Sequence, residues 1–134
     1  MIKPKLLIVL LSLLPVCCVS VSEMRRMEKF EEASSIYENA IRWSDFETAG
    51  TFLNVHENPN ISAKTEELKQ FKVTSYTIKR FLPTRDKSQV LIIAEIKYFK
   101  LNSLVVKSIS DRQLWKYDSA KERWFLTSGL PNFK

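Results

Sequence analysis

The sequence predicts an α+β domain in which N-terminal helices pack on a curved, four-stranded antiparallel meander. Two changes of pattern carry that prediction. Apolar residues recur at three- and four-residue steps between Glu23 and Ile41, and after Phe71 the period falls to two in four runs rich in branched and aromatic residues. The bulk composition agrees: 134 residues, 45% of them apolar, suffice for one packed core, and only two Gly and five Pro interrupt the chain. Collagen, low-complexity disorder and a multi-domain enzyme are excluded on these grounds.

The first seventeen residues read as a targeting segment. Lys3 and Lys5 precede a nine-residue apolar run from Leu6 to Leu14, and Pro15 to Ser20 supplies small and turn-forming residues, the three-part layout of an export signal. A retained span is the alternative, but Leu6 to Val21 is only sixteen residues and contains Pro15, whereas a bilayer core takes about twenty. Both cysteines, Cys17 and Cys18, end this run, so the domain beyond them has no disulfide. A cysteine in that place resembles the lipobox of bacterial lipoproteins. Read to Cys18 the box is Pro15-Val16-Cys17-Cys18, with a small residue just before the Cys; read to Cys17 it is Leu14-Pro15-Val16-Cys17, with the better first position. The resemblance implies lipid attachment at Cys18, with Cys17 as the alternative. The expected organisation is a signal over 1–17, a lipidated tether over 18–22 and a single domain over 23–134.

Glu23 onward predicts an amphipathic helix of about five turns, with Met24, Met27, Phe30, Ala33 or Ser34, Tyr37, Ala40 and Ile41 on one face. Ser44-Asp45-Phe46-Glu47 has the S-x-x-E form of a helix start and predicts a second, short helix from Asp45 to about Leu53, in which Gly50 allows a close approach to the first helix or the sheet. Asn54 to Asn60 is a loop by composition, and Ser62 to Gln70 adds two helical turns.

The predicted strands are Lys72–Leu82, Gln89–Leu101, Leu104–Tyr117 and Arg123–Thr127. Short, turn-rich connections make them consecutive hairpins. Val90, Ile92, Ala94, Ile96 and Tyr98 form the core face of the second strand, while the opposite face begins apolar and turns charged. Apolar residues on both sides of the third strand predict a bulge near Ser108 to Asp111. Trp115 and Trp124 flank the last turn and are expected to approach each other across the strands.

In its order of elements the chain from about Glu23 to Phe133 resembles the cone-shaped cystatin-like class, in particular the nuclear transport factor 2-like superfamily. The ending from Asp111-Arg-Gln-Leu-Trp115 through Arg123-Trp124-Phe125-Leu126 to Ser128-Gly129-Leu130-Pro131 is similar to that of small, uncharacterised proteobacterial lipoproteins. The first resemblance implies a cone between helix and sheet, in which enzymes of that superfamily place an acid or a His; the second implies an envelope location with no assigned activity.

The residues themselves carry little chemistry. His56 is the only histidine and, with no cysteine in the domain, builds no zinc site of the usual kind; it reads as a solvated loop side chain. Gly50 and Gly129 are the only glycines, which excludes the known phosphate loops. Asp45, Glu47, Glu95 and Asp111 are the acids that could enter a cone, Glu95 being set in an otherwise apolar strand where a cross-strand ion pair is the plainer role. Trp43, Trp115, Trp124, Tyr37, Tyr76, Tyr98 and Tyr117 serve as core or line a ligand pocket. Removing Lys3 and Lys5 lowers the formal charge from +6 to +4, and with acids mixed among the bases this suits a surface near anionic lipid better than a nucleic-acid partner.

The functional expectation is therefore a lipid-anchored envelope protein at the periplasmic face of the outer membrane, or of the inner membrane. Its domain binds an envelope protein or an apolar ligand and catalyses nothing, with no cofactor and no metal. The rivals are a cone-cavity enzyme with Glu95 or Asp111 as general base, an inner-membrane subunit that keeps the first helix, and a homodimer through the open sheet face.

Overall fold

A computed structural model describes the backbone of residues 18–134, and side chains from Val21 onward. The elements run α1 (Cys18–Arg42), α2 (Phe46–Gly50), α3 (Ile61–Leu68), β1 (Phe71–Pro83), β2 (Gln89–Lys100), β3 (Val106–Asp118) and β4 (Arg123–Leu126). The four strands form one open antiparallel sheet in the order β1-β2-β3-β4, so the α+β class and the meander are as the sequence predicts. The expected signal over 1–17, Cys17 included, lies outside the described residues, as does the side chain of Cys18.

α1 begins at Cys18, five residues before the predicted start, and so takes in the stretch expected as a tether. Phe30, Tyr37, Ala40 and Ile41 bury its inward stripe, whereas Met24, expected on that stripe, is exposed. The helix ends in a Schellman turn: Asp45 N–H donates to the Ala40 carbonyl (2.8 Å) and Ser44 N–H to that of Ile41 (3.0 Å), with Ser44 at a positive φ of 57°. That geometry corrects the expected capping box. Ser44 turns its hydroxyl to β1, where it accepts the Val73 N–H at 2.9 Å, and Asp45 caps α2 by accepting from Thr48 N–H at 3.1 Å. Gly50 serves a close approach to α3, not to α1 or the sheet: a Cβ there would lie 3.2 Å from Ile61 Cγ2 and 3.4 Å from Thr65 Cγ2.

The expected bulge in β3 is also corrected. β3 pairs with β2 without interruption from Lys116 opposite Gln89 to Val106 opposite Phe99. The register slips instead twice in β1, between Val73 and Ser75 and between Ile78 and Arg80. Bulges belong on an edge strand, where an extra residue breaks only one ladder and twists the edge away from foreign pairing. Other devices guard the edges. Arg42 Nη2 donates to the Tyr76 carbonyl at 2.6 Å, and Leu126 N–H donates to the Phe52 carbonyl at 2.9 Å, which covers β4.

The core lies between the helices and one sheet face. Val90, Ile92, Ala94, Ile96 and Tyr98 are all buried there, as the alternation in β2 predicts. Trp115 is the centre of this layer, 0% exposed, with Phe30, Tyr37 and Phe52 in edge contact at 5.8, 5.3 and 5.7 Å between centroids. Trp124 ties β4 to α1 by donating its indole N–H to the Arg26 carbonyl at 2.8 Å. The C-terminal Phe133 stacks on Tyr98 at 4.3 Å and closes the layer beside Phe71.

These placements predict opposite outcomes for two tryptophans. Trp115→Ala should cost about 3–5 kcal/mol in urea unfolding, as deletion of a fully buried aromatic does. Trp43→Ala, which removes a side chain 76% exposed, should shift stability by no more than about 0.5 kcal/mol.

Candidate functional site

The alternation of β3 decides which polar groups enter the core layer. Trp115 and Tyr117 face the helices, so Gln113 and Asp111, two and four residues before Trp115, face them too. Gln113 is buried and Asp111 half-buried. The Gln113 Nε2 group donates to Tyr76 Oη on β1 and to Asp111 Oδ2, each at 2.9 Å, while its Oε1 accepts the Trp115 indole N–H at 3.3 Å. Only this orientation of the amide serves all three partners, because an indole nitrogen can donate and never accept.

Electrostatics follow from burial. Loss of solvent holds the Asp111 carboxyl above its ordinary 3.8, against the hydrogen bond from Gln113, which favours the ionised form. Burial also pushes the Tyr76 hydroxyl up, with the Gln113 hydrogen bond opposing and Asp111 adding to the rise. Tyr37 lies on α1 above this cluster. Its hydroxyl is buried without a hydrogen-bond partner among the described residues, and burial followed by the charge of Asp111 keeps it protonated well above the usual phenol range. The arrangement offers a carboxyl able to hold a proton, two neutral phenols and a fixed amide under a roof of aromatic rings.

The other acids considered from sequence lie elsewhere. Glu95 stands on the open sheet face between Thr77 and Ser110, so it neither enters the core layer nor faces a basic residue directly across either ladder. Asp45 is spent on its cap, where the hydroxyl and then the N–H of Thr48 hold its carboxyl below the usual range. Glu47 pairs on the surface with Lys69 at 3.1 Å. His56 is exposed in a turn, where its N–H donates to Asn54 Oδ1 at 3.1 Å. Among the described residues no group of three or more His, Cys, Asp or Glu is placed to hold a metal ion.

Tyr37, Tyr76, Tyr98, Trp115 and Trp124 are core, and Trp43 stands in solvent. The two strand tryptophans do not pair directly: Trp115 is opposite Leu126, Trp124 is opposite Tyr117, and Phe30 sits between the indoles at 5.8 and 5.0 Å. Gln113 escaped notice in the sequence because a lone amide carries no motif. Its parity with Trp115 was the available signal.

Surface hollows open away from this cluster. One is lined by Leu53, Asn58, Ile61, Lys64 and Leu130, another by Trp43, Phe71, Lys72, Phe99 and Leu101. Compared with known proteins, the chain matches no family model, no curated protein and no solved structure.

Two substitutions test the polar cluster. Folding raises the pKa of Asp111, so the folded chain keeps a proton that the unfolded chain has lost, and this position loses stability as pH rises from 3.8 through the folded value. Asp111→Asn should therefore unfold at higher urea than the wild type at pH 7, and the gap should close as pH falls toward 4. Tyr37→Phe deletes a hydroxyl that has no hydrogen-bond partner among the described residues, so its urea midpoint should equal or exceed that of the wild type at every pH.

Proposed function

We propose that the chain is a membrane-anchored envelope lipoprotein whose domain is a non-catalytic interaction module of the nuclear transport factor 2-like, cystatin-like class. Lipid at Cys18, or at Cys17, holds it at the periplasmic face of the outer membrane or, alternatively, of the inner membrane. Its partner is an envelope protein or an apolar ligand. The basic, apolar and small-residue layout of residues 1–20 supports the anchor. Among the described residues no helix is long and apolar enough to cross a membrane.

One observation carries the binding role over a catalytic one: the space between helices and sheet is filled with rings. Phe30, Tyr37, Phe52, Trp115 and Trp124 pack there at 5.0–6.0 Å between centroids. A cone enzyme needs that space for its substrate. Large apolar side chains are meanwhile left in water, at Trp43 and from Leu101 to Val106, where a binding surface gains most from being covered.

The second reading, an isomerase- or cyclase-like enzyme, is favoured by Asp111 alone, a half-buried carboxyl with a raised pKa beside two buried phenols. Glu95, on the open face, no longer supports it.

Intact mass of the protein purified from bacterial membranes tests the anchor. The wild type should begin at a modified cysteine and carry the added mass of diacylglycerol and an acyl chain. Cys18→Ser should abolish that mass and Cys17→Ser keep it; the reverse assigns Cys17. An unmodified chain in both variants and wild type, or one that starts at Met1, overturns the lipoprotein.

A further inference from the structure

The two ends of the molecule differ. The start of α1 lies beside the β1–β2 and β3–β4 turns, where Arg26 Nη1 donates to the Asp86 carbonyl at 3.1 Å and Lys29 Nζ to that of Glu122 at 3.3 Å. The β2–β3 turn lies at the other end, near Trp43, which shares a hollow with Phe99 and Leu101. From Arg26 to Arg42 the helix rises about 24 Å.

That far end gathers apolar side chains the fold does not use. Leu101, Leu104, Val105 and Val106 are all more than half exposed, Leu104 by 71%, and Trp43 by 76%. The turn that presents them is fixed: Ser103 and Leu104 N–H donate to the Lys100 carbonyl at 2.9 and 3.0 Å, with Leu104 at a φ of 58°. The side-chain charge of the turn and its flanks is of one sign, and one of its cations is already engaged, Lys107 Nζ donating to the Lys134 main-chain oxygen at 3.1 Å. Between Glu95 and Asp111 the chain holds Lys97, Lys100 and Lys107 and no acid, and Lys72 stands opposite Phe99 in the ladder. Glu47 and Glu66 are both engaged by Lys69, which lines the hollow beside Trp43, at 3.1 and 2.6 Å.

We propose that this end is a docking site for an anionic phospholipid surface. Leu104 and Val105 enter the acyl boundary, Trp43 sits at headgroup level, and Lys72, Lys100 and Lys107 meet the phosphates. Three features select lipid over a protein. The apolar residues are aliphatic and protrude on a turn, which fits a fluid layer better than a shaped pocket. The cations are lysines, depleted at protein interfaces but able to lay their stems on apolar surface while their charge stays at the headgroups. An indole belongs at that same level. The orientation rests on the anchored reading, since a chain held at the start of α1 presents this end to a facing surface; the docking chemistry does not.

The test uses the full chain reconstituted in phosphatidylcholine vesicles, mixed with protein-free acceptor vesicles. Acceptors containing phosphatidylglycerol should be captured, those of phosphatidylcholine alone should not, and capture should fall as salt rises. Leu104→Asp with Val105→Asp should lower capture at least about tenfold, as should Lys72→Gln with Lys100→Gln and Lys107→Gln, since each removes one of the two attractions. Lys72, Leu104, Val105 and Lys107 are exposed and Lys100 is half-buried, and an unchanged urea midpoint shows that the variants fold. Equal capture of uncharged acceptors, wild-type capture by the aspartate variant, or donor vesicles that cluster through a second copy of the chain without acceptors would each overturn the proposal. A chain that leaves the donor vesicles overturns the anchor instead; the docking site is then read by flotation of the free chain with anionic vesicles and its loss in the aspartate variant.

Discussion

Trp115 is the constraint on which the rest of the structure depends. Its ring meets side chains from α1 and from the segment after α2, so the position of both helical pieces over the sheet is set by one fully buried indole. An indole that deep brings a donor with it, and a buried N–H left without an acceptor costs about 1–3 kcal/mol, a large part of what the ring contributes. Gln113 supplies that acceptor. A buried amide then has two N–H donors of its own to satisfy, which fixes the places of Tyr76 and Asp111. The polar cluster under the helices is thus a consequence of satisfying one aromatic residue as much as it is a candidate for chemistry. A carboxyl brought there for hydrogen bonding is desolvated whether or not it has a substrate, and a raised pKa alone does not distinguish the two roles.

The distribution of apolar surface supports the same weighing. A domain of this size gains its stability from covering one face of the sheet, and here the cover is complete where α1 and the C-terminal Phe133 lie over β2 and β3. It thins at the β1 edge, where Ile78, Phe81 and Leu82 are nearly half exposed beside Lys79 and Arg80. Charges beside exposed apolar groups on an edge strand, with two bulges in the same strand, discourage a foreign strand from adding there. No such guard stands at the β2–β3 turn. Its lysines lie behind the apolar residues and not among them, an order that admits an apolar phase from one direction while keeping the charges in water.

Much of this was legible in the sequence because period and parity are direct consequences of helix and strand geometry. The helix stripe at Phe30, Tyr37 and Ile41 and the core face of β2 follow from counting, and the structure places them as counted. What was not legible depended on pairing between distant segments. Two bulges belong to β1 because it is an edge, and a strand's place in the sheet is not written in its own residues. Ser44 could not be recognised as a partner of Val73, twenty-nine positions on, and so looked like a cap. Trp115 and Trp124 seemed a symmetric pair until the register put Leu126 and Tyr117 opposite them. Leu104 and Val105 read as strand because their type favours strands; they lie in a turn, and only exposure tells that they are unused. Glu95 stands out among the four acids in the sequence, with Asp111 as the other candidate base; parity with Trp115 puts Asp111 in the core layer, whereas the parity of Glu95 in β2 is that of the open face.

The direction of α1 joins these observations to function. The described helix runs without a break from Cys18, the residue proposed to carry the lipid, to Arg42, and the sheet is fastened to it by Trp124 at Arg26 and by Arg42 at Tyr76. On the proposed anchor at Cys18, the end bearing Trp43 and Leu104 lies at the opposite end of α1 from the lipid. Chemistry suited to a lipid surface at that distance makes sense for a protein that meets a second surface, and none for one that only lies down on the first.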